Sequence, residues 1–462
     1  MAPLNVLLVS YVFPPAGGTG VMRAASLARY FSAEDIRLDV LTTRNPAAVG
    51  KDPGLLQGIP TSVTIHRTMT LDLPFGMKKA IKRFITRGAG NAGPSAAAGE
   101  KTKAGLLKRT LDNLLLPDPQ VTWYPVLTRA ARRIIKERKI DLVLITVPTF
   151  SNLLLVKKLR RQFPNLPIVV DFRDEWIATS FELVSFSFSS SERAHRLARR
   201  TEANAVRNAT GVVAVTEAAR RLIRSRYPEQ ADDKFQLVPN GFDATRMTRT
   251  ETSATPRRDG KVILTHVGTI YPSTAPTSLV EAIQLLPPDI RSKLKLRFIG
   301  HIEEPRFREA LLQLGDMVEL HGYLPQREAL AAMNETDYVL LLNHDPLNVG
   351  SKFYDYVGGG KPILGAVHPE GETRRLLEEM RGGWWAGIDD VDGIRQLLLD
   401  AVRRGDSVSQ EFQPDTAKIA QYERAVLARR YASLLHSIAA KKGRSDSRTA
   451  ETSSLAEELK EC

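Results

Sequence analysis

The chain has 462 residues, of which 43% are hydrophobic, and a formal net charge of +13. This length exceeds one ordinary hydrophobic core, so we expect two domains with additional segments. The single cysteine, Cys462, excludes a disulfide framework and a cysteine metal site, which suits a reducing cytosol, and no apolar run is long enough to span a bilayer.

The first half of the chain alternates short apolar runs with stretches of helical pattern. The runs are NVLLVS, RLDVLTT, DLVLITV, IVVDF, GVVAVT and FQLVPN. Strands that are apolar on both faces and alternate with helices indicate a parallel sheet covered on both sides. The first run has no basic region before it, so we interpret it as a buried strand and not as a signal peptide.

A glycine loop follows the first predicted strand. The sequence LLVSYVFPPAGGTGVMRAASLARYF indicates a strand, a Pro-Pro turn, a glycine loop and an amphipathic helix. Gly17 and Gly18 would let a charged ligand approach the backbone closely. The loop matches neither GxxxxGK[ST] nor GxGxxG, so this pattern alone has low specificity.

Residues 76–110 are strongly basic, with Glu100 as the single acid. The stretch FGMKKAIKRFITR predicts a basic amphipathic helix, which can lie on an anionic membrane; a solvated helix packed on its own domain fits equally well. The net charge also allows phosphorylated ligands or nucleic acid as partners. The lack of a recognition motif argues against nucleic acid.

Ionisable residues follow directly after the apolar run IVVDF. Asp171, Arg173 and Asp174 lie within IVVDFRDEWI. They form either a closed ion-pair network or a polar wall of a cleft, and the sequence leaves both open.

The second half repeats the alternation, with the runs VILTHVG, LKLRFIG, VELHG, YVLLLN and PILGAV. Gly268 and Gly300 end two of these predicted strands, and Gly322 ends a third, so phosphates or a sugar could lie close to the backbone there.

We predict an N-terminal domain over 1–245 with a basic insertion at about 73–110, a linker over 246–260, a C-terminal domain over 261–415, a helix over 416–440 and a disordered tail over 441–462.

The stretch SKFYDYVGGGKP, residues 351–362, predicts a helix that begins at Ser351 or Lys352 and ends at three glycines. Asp355 lies on the same helical face as both residues. Free N–H groups and an ammonium suit a diphosphate, and a carboxylate one turn later suits a ribose diol. An ordinary capped helix with a glycine stop explains the pattern as well.

The order of eight motifs resembles the family-4 retaining glycosyltransferases of the GT-B fold, over most of residues 4–410. The motifs are PPAGGTGVMR, LPDPQVTWYP, VDFRDEW, VVAVTEAARRLI, LVPNGFD, HVGTIY, HGYLPQREALAAM and GSKFYDYVGGGKPIL. The likeness is closest to members that build bacterial surface polysaccharides and glycolipids. It implies an α/β architecture of two Rossmann-like, doubly wound parallel-sheet domains that face a central cleft.

The resemblance further implies a nucleotide-sugar donor on the C-terminal domain, an acceptor on the N-terminal domain, retained anomeric configuration, and no metal or cofactor. It places Asp355 at the ribose and Gly322, Tyr323 and Leu324 beside the base. Pattern and resemblance together give the candidate donor-binding residues Gly17, Gly18, Gly268, Thr269, Gly300, Gly322, Tyr323, Leu324, Ser351, Lys352 and Asp355. The candidate catalytic residues are Lys352, Asp171 and Arg173.

Two departures from the family pattern concern the site itself. Leu347 stands where the first of two motif glutamates is usual, and Thr269 stands where a phosphate-binding arginine is frequent. Lys352 is the obvious substitute cation.

We expect a glycosyltransferase in the cytoplasm, peripheral on the inner face of the cytoplasmic membrane through residues 76–110, with a lipid-linked or cell-surface glycan as acceptor. The alternatives are a GT-B sugar-nucleotide epimerase and a catalytically silent GT-B protein that binds a nucleotide sugar.

Overall fold

The computed structural model describes residues 3–46, 50–70, 116–178, 192–247, 260–324 and 326–441. The basic segment 76–110, most of the linker and the tail from 442 onward lie outside those residues.

Within the described N-terminal half, seven parallel strands form one sheet in the order β3-β2-β1-β4-β5-β6-β7. They are β1 Leu4–Val9, β2 Ile36–Thr43, β3 Thr64–Thr68, β4 Leu142–Val147, β5 Ile168–Phe172, β6 Gly211–Ala214 and β7 Phe235–Leu237. The accompanying helices are α1 Thr19–Tyr30, α2 Tyr124–Glu137, α3 Leu154–Gln162, α4 Glu192–Asn208 and α5 Glu217–Arg226. All residues of β4 and β5 are buried, as expected of central strands covered on both faces.

The described C-terminal half contains a second parallel sheet of six strands in the order β10-β9-β8-β11-β12-β13. Its strands are β8 Val262–Val267, β9 Leu294–Ile299, β10 Val318–Gly322, β11 Tyr338–Asn343, β12 Ile363–Val367 and β13 Gly383–Gly387. Its helices are α6 Thr277–Gln284, α7 Pro288–Arg291, α8 Pro305–Leu312, α9 Gln326–Asn334, α10 Ser351–Gly358, α11 Glu372–Glu379, α12 Val391–Arg404, α13 Val408–Glu411 and α14 Thr416–Ala420.

Both sheets reverse their winding direction next to their first strand. The reversal lies between β1 and β4 in one sheet and between β8 and β11 in the other. In open parallel sheets ligands bind at such switch points, beyond the carboxyl ends of the strands. The glycine loop after β1, Gly268 after β8 and helix α10 after β11 therefore occupy the positions where a ligand is expected.

The terminal helix differs from the prediction of one helix over 416–440. Helix α14 ends at Ala420, and a separate helix, α15, runs over residues 424–441. Between them the chain pairs with the Phe242 backbone, whose N–H donates to Tyr422 O at 3.1 Å and whose carbonyl accepts from Arg424 N at 2.9 Å. This pairing uses backbone groups that a continuous helix would need for itself.

Helix α15 packs against the N-terminal domain, although it follows the C-terminal domain in the chain. Tyr431 and Leu435 are fully buried in one hydrophobic cluster with Val6, Leu8 and Phe31. The first and the last of the described elements thus share one core. None of the described helices is both long and apolar enough to cross a membrane.

Candidate functional site

Helix α10 begins at Ser351, as the sequence predicts, at the carboxyl edge of the second sheet. Its N-cap is Gly350, and no side chain caps the helix. Ser351 and Lys352 are half-buried, while the helix is buried from Phe353 onward. A helix start without a side-chain cap keeps a partial positive charge available for an anion.

Asp355 lies one turn into α10 with its side chain 7% exposed. Lys352 forms an ion pair with it, with Nζ 3.8 Å from Oδ2, and no hydrogen bond to this carboxylate occurs among the described residues. A buried carboxylate ordinarily has its acceptor sites filled, because the loss of water is costly. Asp355 therefore has spare acceptor capacity beside a cation.

The glycines that end β8, β9 and β10 bring three loops together. The Gly268 N–H donates to Ile299 O at 2.8 Å, and the Gly300 N–H donates to Gly322 O at 2.6 Å. A Cβ on Gly300 would lie only 2.1 Å from the Gly268 carbonyl oxygen. Gly300 is thus required by the packing of backbone on backbone, whether or not a ligand binds there.

Next to these loops lies an exposed aromatic pair. Tyr323 is 53% exposed and stacks on His301, with ring centroids 5.8 Å apart and planes at 14°. Leu324 is half-buried beside it, and the Thr269 carbonyl accepts from the Thr274 hydroxyl at 3.4 Å. An exposed flat ring surface of this kind suits a nucleobase.

The glycine loop of the N-terminal domain has the open backbone that the sequence indicates. Gly18 is exposed, has φ 95°, and caps α1 without a side chain. Gly17 is tied to a neighbouring loop through its N–H, which donates to Gly50 O at 2.9 Å. The positive φ explains the glycine at 18.

Asp171 lies in a closed network. It is fully buried, and its carboxylate accepts from Arg23 at 2.7 and 2.9 Å and from the Thr146 hydroxyl at 2.9 Å. The same guanidinium donates to the carbonyls of Val238 and Pro239, both at 2.9 Å. Of the two interpretations left open by the sequence, this geometry favours the ion-pair network for Asp171, and its catalytic role stays a prediction.

Arg173 is buried and bonds to backbone carbonyls. Its guanidinium donates to Val147 O at 3.2 Å and Pro148 O at 2.6 Å, and also to Gly20 O. Burial lowers the pKa of Arg173. The side chain joins the start of α1 to the end of β4, and we interpret it as a support of the glycine loop.

Asp174, unlike Asp171, is exposed. Although this side chain is accessible to solvent, desolvation by the protein atoms packed around it raises its pKa; Arg173 opposes that rise, and Asp345 of the other domain adds to it. The next residue along, Glu175, donates its N–H to Asn348 Oδ1 at 3.4 Å. Asp174 therefore lies where the two domains meet, a position that the sequence pattern did not distinguish from that of Asp171.

The loop over residues 344–350 forms the other side of this contact. Asp345 Oδ1 accepts from the N–H groups of Leu347 and Asn348 at 2.8 and 3.0 Å, and the Leu347 carbonyl accepts from the Thr216 hydroxyl at 2.7 Å. This role of Asp345 was not predicted, although the sequence Asp-Pro-Leu-Asn is a turn signal.

In the part of the chain that the structure describes, no cluster of three His, Cys, Asp or Glu side chains could hold a metal ion. A metal-independent site stays an expectation.

The two doubly wound parallel-sheet domains have the GT-B fold, which confirms the predicted fold class. The model of the family described as Glycosyltransferase Family 4 matches residues 94–246. No curated protein sequence shows a significant match to the chain.

Solved structures match over nearly the whole chain. HepE from Anabaena in complex with UDP and glucose has a TM-score of 0.60 at 15% identity, over 94% of this chain and 100% of that chain. Sucrose-phosphate synthase from Thermosynechococcus elongatus has a TM-score of 0.56 at 14% identity, over 97% and 100%. WaaG, a glycosyltransferase involved in lipopolysaccharide biosynthesis, has a TM-score of 0.54 at 14% identity, over 94% of this chain and 98% of that chain. Likeness at these identities establishes the fold.

Proposed function

We propose that this protein is a glycosyltransferase that transfers a sugar from a nucleoside-diphosphate sugar to an acceptor hydroxyl. One observation carries the proposal: the buried Asp355 carboxylate has no hydrogen bond among the described residues, and it lies beside Lys352 at the start of α10. The family model over residues 94–246 and the UDP-bound HepE structure support it.

In this proposal the donor lies with its ribose at Asp355 and its diphosphate at the start of α10. Two adjacent hydroxyls can both donate to one carboxylate, which satisfies the free acceptor sites of Asp355. The Lys352 ammonium and the first N–H groups of α10 stabilise negative charge on the departing diphosphate. Tyr323 and His301 provide a surface for the base.

The acceptor lies on the N-terminal domain, where Asp174 is exposed at the contact between domains. Retention of configuration, a metal-independent reaction, and a lipid-linked or cell-surface glycan acceptor are parts of this proposal supported by the sequence resemblance. WaaG, whose described role is in lipopolysaccharide biosynthesis, is compatible with such an acceptor.

The donor site is tested with a panel of UDP, GDP, dTDP and ADP, using thermal unfolding and calorimetry. We expect one diphosphate to bind the wild type and Asp355→Asn to weaken it by at least about tenfold, because hydrogen bonds to a charged group are lost. Lys352→Ala should lower turnover of the matching nucleotide sugar and also weaken the free diphosphate, because the ammonium stabilises charge on the departing diphosphate.

The matched control is Asp337→Asn in the same domain. Asp337 accepts from the Ile263 N–H at 2.8 Å at the opposite edge of the same sheet, where β11 begins. Affinity for the diphosphate should be unchanged in this variant. Equal affinity in wild type and Asp355→Asn would contradict the site.

One observation favours a second candidate, a GT-B protein that binds a nucleotide sugar without turnover. Leu347, at the position of the usual motif glutamate, is half-buried, and its backbone is fixed by Asp345 and Thr216. Binding of a nucleotide sugar with neither hydrolysis nor transfer to any glycan or glycolipid acceptor would favour this candidate.

Association with the inner membrane surface through residues 76–110 is also part of the proposal, supported by their basic amphipathic pattern. Binding to vesicles with anionic lipid should fall with added salt and in a variant that neutralises Lys78, Lys79, Lys82 and Arg83. Unchanged binding in that variant would exclude this segment as the contact.

A further inference from the structure

His266 is a buried histidine with one ring nitrogen unpaired. It lies near the end of β8 and is 5% exposed, and its Nδ1 lies 3.1 Å from the Leu340 carbonyl oxygen. A carbonyl only accepts, so Nδ1 carries the proton and Nε2 presents its lone pair. Nε2 is shielded from water and has no hydrogen-bond partner.

The Nε2 atom of His266 and the Lys352 side chain both lie close to Gly268. An atom at the Cβ position of Gly268 would lie 3.5 Å from His266 Nε2 and 3.7 Å from Lys352 Cγ. The two side chains therefore border the same space, which the glycine at 268 leaves unfilled. Rotation about the outer bonds of the lysine can carry its ammonium from Asp355 to this space.

The ring stays neutral in this environment. Burial lowers the pKa of His266 to about 4, and the positive charge of Lys352 lowers it further, while the bond to Leu340 opposes the change. A neutral imidazole can accept a hydrogen bond from an ammonium without repelling it.

The ammonium of Lys352 has a loose contact with Asp355. Its Nζ lies 3.8 Å from Oδ2, which exceeds an ordinary hydrogen bond. In the proposed function the ribose hydroxyls donate to the Asp355 carboxylate. The Lys352 ammonium then needs another acceptor, close to the phosphates.

We propose that His266 is a positioning residue for Lys352: its Nε2 accepts a hydrogen bond from the ammonium when a nucleoside diphosphate is bound and directs that cation to the phosphates. The proposal rests on the proposed function, since it assumes a diphosphate at the start of α10. It assigns a role to a residue that would not touch the ligand itself.

The test is a double-mutant cycle with His266→Phe and Lys352→Met. The probe is whichever of UDP, GDP, dTDP and ADP binds the wild type, compared with its parent nucleoside. We expect H266F to weaken the diphosphate about tenfold, because a hydrogen bond to a charged group is lost, and to leave the nucleoside unchanged. In the K352M background, H266F should have no further effect.

Two variants accompany the cycle. His266→Gln keeps one donor and one acceptor and should retain most of the diphosphate affinity. Thr265→Val is the matched control, since Thr265 is the neighbouring buried residue, its Oγ1 also has no partner, and it points to the other face of the strand. Its affinities should equal those of the wild type.

A measurement on the wild type is independent of how well H266F folds. The ¹⁵N resonance of a neutral imidazole nitrogen moves when that nitrogen accepts a hydrogen bond, and H266Q identifies the signal. Adding the diphosphate should shift it, and adding the nucleoside should not.

Two results would overturn the proposal while leaving the proposed function intact. One is a loss of affinity in H266F that persists in the K352M background or affects the nucleoside equally. The other is a diphosphate complex in which the Nε2 signal is unchanged. If none of the diphosphates binds the wild type, the proposed function fails and this proposal fails with it.

Discussion

Replacing Asp118 with asparagine should change how the stability of the N-terminal domain depends on pH. Asp118 is 7% exposed, Oδ2 accepts from the Ser151 N–H at 2.8 Å, and Oδ1 is buried without a hydrogen-bond partner. Burial raises its pKa from 3.8 to about 6, against the opposing effect of hydrogen bonds from Ser151 and its neighbours. The folded protein therefore holds a proton that the unfolded chain releases.

The sign and size of the pH effect on the free energy of unfolding follow from this difference in proton binding. Because the folded-state pKa is raised, the stabilising effect of protonation is complete below pH 3.8 and is lost as the pH rises through about 6. Each pKa unit corresponds to about 1.4 kcal/mol, so the full effect is about 3 kcal/mol. Between about pH 5 and about pH 7.5 the free energy of unfolding of the wild type should fall by about 1.4 kcal/mol because of this group. Asparagine does not titrate, so the Asp118→Asn variant should not show this fall.

The assay is urea unfolding of wild type and Asp118→Asn at both pH values. The N-terminal transition should be followed separately, since a two-domain protein need not unfold in one step; Trp123, buried close by in sequence, is a suitable fluorophore. Asp316→Asn, at an exposed position, is the control and should show a constant difference from wild type. If the difference between wild type and Asp118→Asn is the same at both pH values, Asp118 does not carry the proton assigned to it.

Two further predictions concern the packing of each domain. Arg23→Met leaves the Asp171 carboxylate buried without its guanidinium, so the free energy of unfolding in urea should fall by about 3–5 kcal/mol. The added change Asp171→Asn should recover part of this loss. An unchanged free energy of unfolding in Arg23→Met would show that the pair is not a structural one. Gly300→Ala places a Cβ 2.1 Å from the Gly268 carbonyl oxygen and should lower both the melting temperature and the diphosphate affinity. Gly315→Ala, also at positive φ but with no atom within 4 Å of the added Cβ, should cost only backbone strain. Equal shifts of the melting temperature in the two variants would refute the steric argument.

Local patterns were sufficient to predict the buried strands and helix α10. The runs DLVLITV and YVLLLN correspond to strands that are buried at every residue, because uninterrupted Val, Ile and Leu require cover on both faces. The start of α10 at Ser351 also follows from short-range signals, a preceding loop with Pro and Gly and a glycine stop afterwards. β3 and β13 were missed, since TIHRT is a half-buried edge strand with polar residues and GWWAG contains two glycines.

Pairings between distant parts of the chain could not be predicted from one sequence. Arg23 and Asp171 are 148 positions apart, and nothing local to either residue indicates its partner. The unpaired Nε2 of His266 depends on Leu340 and on the space at Gly268, which only the assembled sheet defines. The position of α15 on the N-terminal core depends on the backbone pairing at Phe242, which interrupts the predicted terminal helix.

The return of α15 to the N-terminal core also constrains the order in which the protein can fold during synthesis. Domains generally fold from the N-terminus as they leave the ribosome. Here the cluster around Val6, Leu8 and Phe31 lacks Tyr431 and Leu435 until the C-terminal domain has been synthesised. Of these two domains, the N-terminal one is translated first but completed second, and its core stays partly open while the C-terminal domain is made.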